Sequence, residues 1–204
     1  RSRTVGVKEM TVIVLNETQP FNHLDPLWQN RDVETKITHN IQNNSYAPLH
    51  LVDEQFIGHT FCLLQAYPFY TLLKECVSKE HALNGVLRYR RCGPENLLVE
   101  DIVALSKLLG SCQQITVKQR TLKGISYMIV LCKFGDSVMA HLEYWQQPEE
   151  RIELELSTAQ QIFDFNSKKA APSDDHSALE LSLQTILQAS EPFNTGLYKY
   201  YQQV

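Results

Sequence analysis

The stretch QITVKQRTLKGISYMIVLCKFGDSVMAHLEYWQQPEERIELELSTAQQIFDF, residues 114–165, decides the fold. It reads as four strands in quick succession, 114–120, 126–133, 137–145 and 150–156, with a fifth at 161–165. The separators are short and carry turn chemistry: Lys123-Gly124, Gly135-Asp136 and Gln147-Pro148. Such separators favour hairpins and hence an antiparallel meander. Within the second strand Met128, Val130 and Cys132 point one way, and Tyr127, Ile129 and Leu131 the other. A strand apolar on both sides must be covered on both sides. Helices cover one face, and the other, with Tyr144 and Trp145, is expected to meet a second copy of the chain; a sheet curled on itself is the alternative.

Upstream of this sheet, residues 95–109 form a helix with Leu97, Leu98, Ile102, Leu105, Leu108 and Leu109 on its buried stripe, and Gly110 ends it. Residues 85–91 read as a strand. Pro68 suits the first turn of a helix that runs to residue 79, and 56–64 read as a strand. The β-branched run at 9–15 (EMTVIVL) has the character of a buried strand, 16–20 is a turn, and 33–41 is a second strand inside a polar segment. Downstream, 168–175 is a polar loop and 178–189 a helix whose start carries Ser173, Asp174 and Asp175. Pro192 leads to a last helix at 195–203. The expected class is α+β: a predominantly antiparallel sheet of about five to six strands with helices on one face, preceded by a small α/β remnant. The domain division is residues 1–55 and 56–204.

The chain has 204 residues, 43% hydrophobic and 21% charged, enough for one good-sized core or two small ones. A formal charge of −4 and scattered Lys and Arg give no footprint for nucleic acid. The longest apolar runs, such as 127–132, fall well short of the roughly 20 residues a bilayer needs, and no apolar leader opens the chain. Five cysteines (Cys62, Cys76, Cys92, Cys112, Cys132), widely spaced and without C-x-x-C or zinc-ligand offsets, imply reduced thiols and a cytoplasmic setting. The sequons at Asn16 and Asn43 matter only outside the cytoplasm.

The eight glycines (Gly6, Gly58, Gly85, Gly93, Gly110, Gly124, Gly135, Gly196) never fall as G-x-G-x-x-G. That spacing is what lets a backbone touch a pyrophosphate at a helix N-terminus. No G-x-S-x-G, H-E-x-x-H or P-loop occurs, so hydrolase and metal chemistry have no positive support.

Between residues 61 and 165 the order of motifs resembles the C-terminal domain of the Gfo/Idh/MocA oxidoreductases. Tyr67-Pro68-Phe69-Tyr70 with Leu72-Leu73-Lys74 is similar to the family's entry helix, and 86–91 to the first strand of its sheet. Leu98-Val99-Glu100-Asp101-Ile102, ending in Leu108-Leu109-Gly110, resembles the H-D-I-D helix. Residues 134–143 resemble the f-x-x-G-x-v-a-x-l-E strand pair. Arg151-Ile152-Glu153 and Ile162-Phe163-Asp164 resemble its close, and 187–192 its final helix plus Pro. Asp32-Val33-Glu34, after 24–28, has a fainter similarity to a nucleotide-domain segment, which would make residues 1–55 the rump of a dinucleotide domain.

The resemblance implies an NAD(P)-dependent dehydrogenase-like protein whose sheet forms a homodimer and one wall of a substrate pocket. The departures are specific. The family's E-K-P lysine has only a distorted echo at Asn16-Glu17-Thr18-Gln19-Pro20, and Glu100 stands where the family commonly presents an acid/base histidine. Glu100 is therefore the catalytic candidate, a base if burial raises its pKa; the plainer reading is an exposed or capping Glu in a first helical turn. Arg88, Arg90 and Asp101 are the substrate-binding candidates, the arginines as a bidentate anion grip or, in the plainer reading, a solvated strand face. His59 and His141 read better as hydrogen-bonded structural histidines. No cofactor is expected on this chain alone, and NAD or NADP only if the family's activity is retained. The alternative is a non-catalytic binding or regulatory module that kept the dimerising sheet.

Overall fold

The computed structural model describes residues 10–17, 19–21, 34–169 and 179–202. In chain order it contains β1 (Met10–Val14), β2 (Glu34–Thr38), β3 (Ser45–Pro48), β4 (Gly58–Phe61), α1 (Leu63–Ala66) and α2 (Pro68–Ser78). Then follow β5 (Gly85–Gly93), α3 (Leu98–Leu109), β6 (Cys112–Leu122), β7 (Ile125–Phe134) and β8 (Val138–Gln146). The chain closes with β9 (Arg151–Thr158), β10 (Ile162–Asn166), α4 (Leu183–Ala189), β11 (Glu191–Pro192) and α5 (Thr195–Gln202).

The elements make two sheets. The first has the order β11-β4-β3-β1-β2, and its pairs β1 with β2, β1 with β3, and β3 with β4 are parallel. Val12, Ile13 and Val14 of β1 are buried, as a parallel strand covered on both faces requires. The chain passes from β1 to β2 on one side and then to β3 on the other, so strand order reverses at β1. Asn44, at φ 57, turns the chain into β3. β11 pairs antiparallel with β4 at the edge, the place where a strand tolerates a proline such as Pro192. The first sheet thus takes strands from both sides of residue 55.

The second sheet has the order β10-β9-β5-β8-β7-β6. It is mixed, which corrects the expected antiparallel meander: β5 inserts between β8 and β9, parallel to β8 and antiparallel to β9. The hairpins β6/β7 and β7/β8 are as their turns predict, and β10 pairs antiparallel with β9. The Gln147-Pro148 separator is no hairpin; it carries the chain over the end of β5, where the Gln147 N–H donates to the Gly93 carbonyl. The reason lies in β5 itself, whose Leu87, Tyr89 and Arg91 are buried while Val86, Arg88 and Arg90 are exposed. An alternation that strong fits an interior strand with one covered face.

One core joins the sheets. Ile13 of β1, Phe61 of β4, Leu73 of α2, Leu87 of β5, Ile102 and Leu105 of α3, and Val130 and Leu142 of the second sheet are all in it and nearly inaccessible. Tyr144 faces this core and not the open side, which corrects its expected place; Trp145 is on the open face. The helix expected over 178–189 begins only at Leu183, where Ser182 and Thr185 form a capping box. Ser173, Asp174, Asp175, and Asp32 with Val33 lie outside the described residues.

Candidate functional site

In an open α/β sheet the crevice beyond the carboxyl ends of the strands, where strand order reverses, is the place that binds ligands. Here that place is the end of β1 and β3, and a cavity of about 320 Å³ occupies it. Its wall includes Asn16 beyond β1, His50 beyond β3, Arg91 on β5, Glu95 ahead of α3, and Glu150 from the connection between β8 and β9. The first sheet supplies one wall and the second sheet the other.

His50 is the centre of this wall, and the sequence reading passed over it. Its backbone N–H donates to Glu100 Oε2 at 2.8 Å, and its Nδ1 lies 2.6 Å from the same oxygen. Glu100 Oε1 accepts the N–H of Leu63 at the start of α1. His50 Nε2 lies 2.6 Å from Glu95 Oε2, and Glu95 Oε1 accepts from the Asn16 side-chain amide. Burial alone would lower the His50 pKa, but the charge and hydrogen bond of Glu100 and the charge of Glu95 outweigh it and raise it. Burial alone would raise Glu100, and His50 with the two backbone N–H groups outweighs that and holds it below the usual carboxylate range. Glu100 is therefore neither an exposed capping residue nor a carboxyl raised toward neutrality. It is a buried anion that orients an imidazole.

A second network lies beneath the first. Arg91, 2% exposed, places Nη1 2.6 Å from Asp101 Oδ1 and Nη2 against Glu150. Tyr89 donates to Asp101 Oδ2 at 2.9 Å, and Tyr67 donates to Glu150 at 3.0 Å. Burial pushes the Asp101 carboxyl up to about 6 despite the guanidinium beside it. Asp101 does not line the cavity; it fixes Arg91, which does.

Arg88 and Arg90 are on the open face of the second sheet, away from the cavity. Arg88 pairs with Glu155, and Arg90 with Glu143 and Glu153, while its guanidinium stacks 5.3 Å from the Trp145 ring. The structure thus brings Glu100 and Asp101 to the network that supports the cavity wall, without lining the cavity, and leaves Arg88 and Arg90 outside. His59 stacks on Tyr46, and His141 lies 3.5 Å from Glu143 on the open face. The signal that could have found His50 was its place two residues beyond Pro48. It went unread because the four-residue strand β3 was not recognised in a polar segment.

Among the described residues no lysine lines the cavity and no group of three or more potential metal ligands occurs. No helix among them is long and apolar enough to cross a membrane. All five cysteines are free.

No family model matches the chain, and no curated protein matches it. Among solved structures it is similar to a dehydrogenase from Chromobacterium violaceum, with 6% identity, a TM-score of 0.49, and coverage of 79% of this chain and 68% of that one. It is also similar to the WlbA (WbpB) dehydrogenase from Thermus thermophilus in complex with NAD and UDP-GlcNAcA, at 10% identity and TM-score 0.44, over 72% of this chain and 61% of that one. Biliverdin reductase from Synechocystis, in complex with biliverdin and NADP+, matches at 13% identity and TM-score 0.38, over 52% and 47%. The chain spans less than two thirds of the latter two. Likenesses of this depth carry no chemistry across.

Proposed function

We propose that the chain is an oxidoreductase-like protein that supplies a substrate pocket and a dimerisation sheet and does not hold NAD(P) by itself. The observation that carries this reading is the cavity at the strand-order reversal, with an imidazole fixed on its wall by a buried carboxylate. An imidazole held at Nδ1 can serve a ligand in the cavity as proton donor or acceptor through Nε2 once that nitrogen parts from Glu95. In this reading His50 is the acid/base candidate and Glu100 the residue that positions it.

A dinucleotide does not fit the residues present. The turn that follows β1 reads Leu15-Asn16-Glu17, with no glycine to let the backbone approach a pyrophosphate. Among the described residues, Glu95, Glu100, Asp101 and Glu150 stand against two cationic groups, His50 and Arg91, so these surroundings oppose a diphosphate. Any nucleotide cofactor would have to come with a partner. The missing lysine favours the second reading, a non-catalytic binding or regulatory module that uses the same pocket.

The partner in either reading is a second copy, through the open face of the second sheet. That face exposes Val86, Leu131 and Met139 beside Tyr127 and Trp145, with Arg88 and Arg90 among Glu143, Glu153 and Glu155. Apolar rows laced with both charge signs suit self-association. Calorimetric titration with NADH and NADPH, with light scattering on the same sample, tests the whole reading. A dimer that gives no binding heat is expected. Micromolar nucleotide binding would overturn the first half, and a monomer the second.

A further inference from the structure

Glu95 gathers three chain segments at the cavity. One carboxylate oxygen accepts from Asn16, just beyond β1, and the other meets His50 Nε2, just beyond β3. Glu95 itself stands two residues past Gly93, in the short connection that enters α3. Its side chain is 33% exposed, against 1% for Glu100.

A neutral imidazole has one N–H and one lone pair, so it can donate to only one of two carboxylates and opposes the other. Both His50 nitrogens lie 2.6 Å from a carboxylate oxygen, an arrangement that suits the imidazolium, which donates at both nitrogens. Glu100 is the more buried partner and binds His50 twice, so it retains its N–H. The proton that leaves first is the one on Nε2, and the contact it breaks is the one to Glu95.

We propose that protonated His50 is a latch that straps the connection at residues 94–97 across the ends of β1 and β3, and that loss of its Nε2 proton releases the strap and opens the cavity. The proposal rests on the reading of this cavity as the ligand site and adds its regulation. The charged groups that face His50 are Glu100 and Glu95, which hold the proton, and Arg91, which opposes it. Arg91 is itself bound by Asp101 and Glu150. The buried Cys62 thiol, near Glu100, is pushed well above its ordinary value and stays neutral.

Amide hydrogen exchange on the full chain tests the latch with no ligand present. Protection of the Leu98 amide, which donates to Asn96 Oδ1 of the strap, corrected for intrinsic exchange, is expected to fall at least ~3-fold between about pH 6 and about pH 8.5, while the α3 interior keeps its protection. In Glu95→Gln the same amide is expected to be under-protected already at the lower pH. Protection that ignores pH in the unaltered chain, or a Glu95→Gln amide as protected as the original, would overturn the latch. A cavity that fails to bind any ligand leaves the exchange result intact, so the two readings fail separately.

Discussion

His50 and Glu100, fifty residues apart, are joined twice through one oxygen: the backbone N–H and the Nδ1 of His50 both reach Glu100 Oε2. This pair carries the site. It ties the end of a strand in the first sheet to the helix that lies on the second, and it turns a buried carboxylate into an anchor for the imidazole on the cavity wall.

Removing the imidazole should therefore be costly. His50→Ala leaves Glu100 fully buried with backbone donors but no counter-charge, and a broken buried pair costs about 3–5 kcal/mol. Urea denaturation measures it. Adding Glu100→Gln to the same chain should recover part of the loss, because the unpaired charge is then gone. A loss below about 1 kcal/mol in the single variant would mean that the pair is not buried as described.

Stability should peak on the acid side of neutrality. His50 is raised from 6.5, so its contribution is complete below that value and is lost as pH rises through the folded pKa. Asp101 is raised from 3.8 to about 6, so the folded chain binds its proton more tightly and gains stability as pH falls through 6. Glu100 is lowered from 4.5, and its contribution is lost as pH falls through the folded value. Urea midpoints across the range should be highest between these limits. His50→Gln should flatten the profile on the alkaline side and Asp101→Asn the stretch below 6.

The arginines of β5 should separate cleanly by face. Arg91→Met removes the counter-charge that Asp101 and Glu150 share and should cost about 3–5 kcal/mol. Arg88→Ala breaks an ion pair whose arginine is 68% exposed and should change stability by no more than about 0.5 kcal/mol. Paired denaturation curves decide it. Similar losses at the two positions would show that burial does not govern this strand.

On the open face, Leu131→Lys and Met139→Glu place charges among half-exposed apolar side chains. The dimer reading expects either variant to run as a monomer in light scattering with little change in its unfolding midpoint. A variant that stays dimeric would move the interface elsewhere.

The strands of the second sheet were legible because they alternate, and the β6/β7 and β7/β8 hairpins because their turns carry Gly. Met128, Val130 and Cys132 do face away from Tyr127, Ile129 and Leu131, as read. The insertion of β5 between β8 and β9 was not legible, since Gln147-Pro148 looks alike whether it closes a hairpin or crosses a strand end. β3 was missed because Ser45–Pro48 is too short to show a period. His50 was missed with it. Glu100 was singled out for its place in a motif, but a sequence shows neither its burial nor the imidazole that meets it from fifty residues away.

The most direct test of the site is a pH titration of the His50 ring by nuclear magnetic resonance, in the unaltered chain and in Glu100→Gln. A midpoint above 6.5 that falls when Glu100 loses its charge is the expected result. A midpoint at or below 6.5 in the unaltered chain, or one indifferent to Glu100→Gln, would contradict the charged imidazole on which this account of the cavity stands.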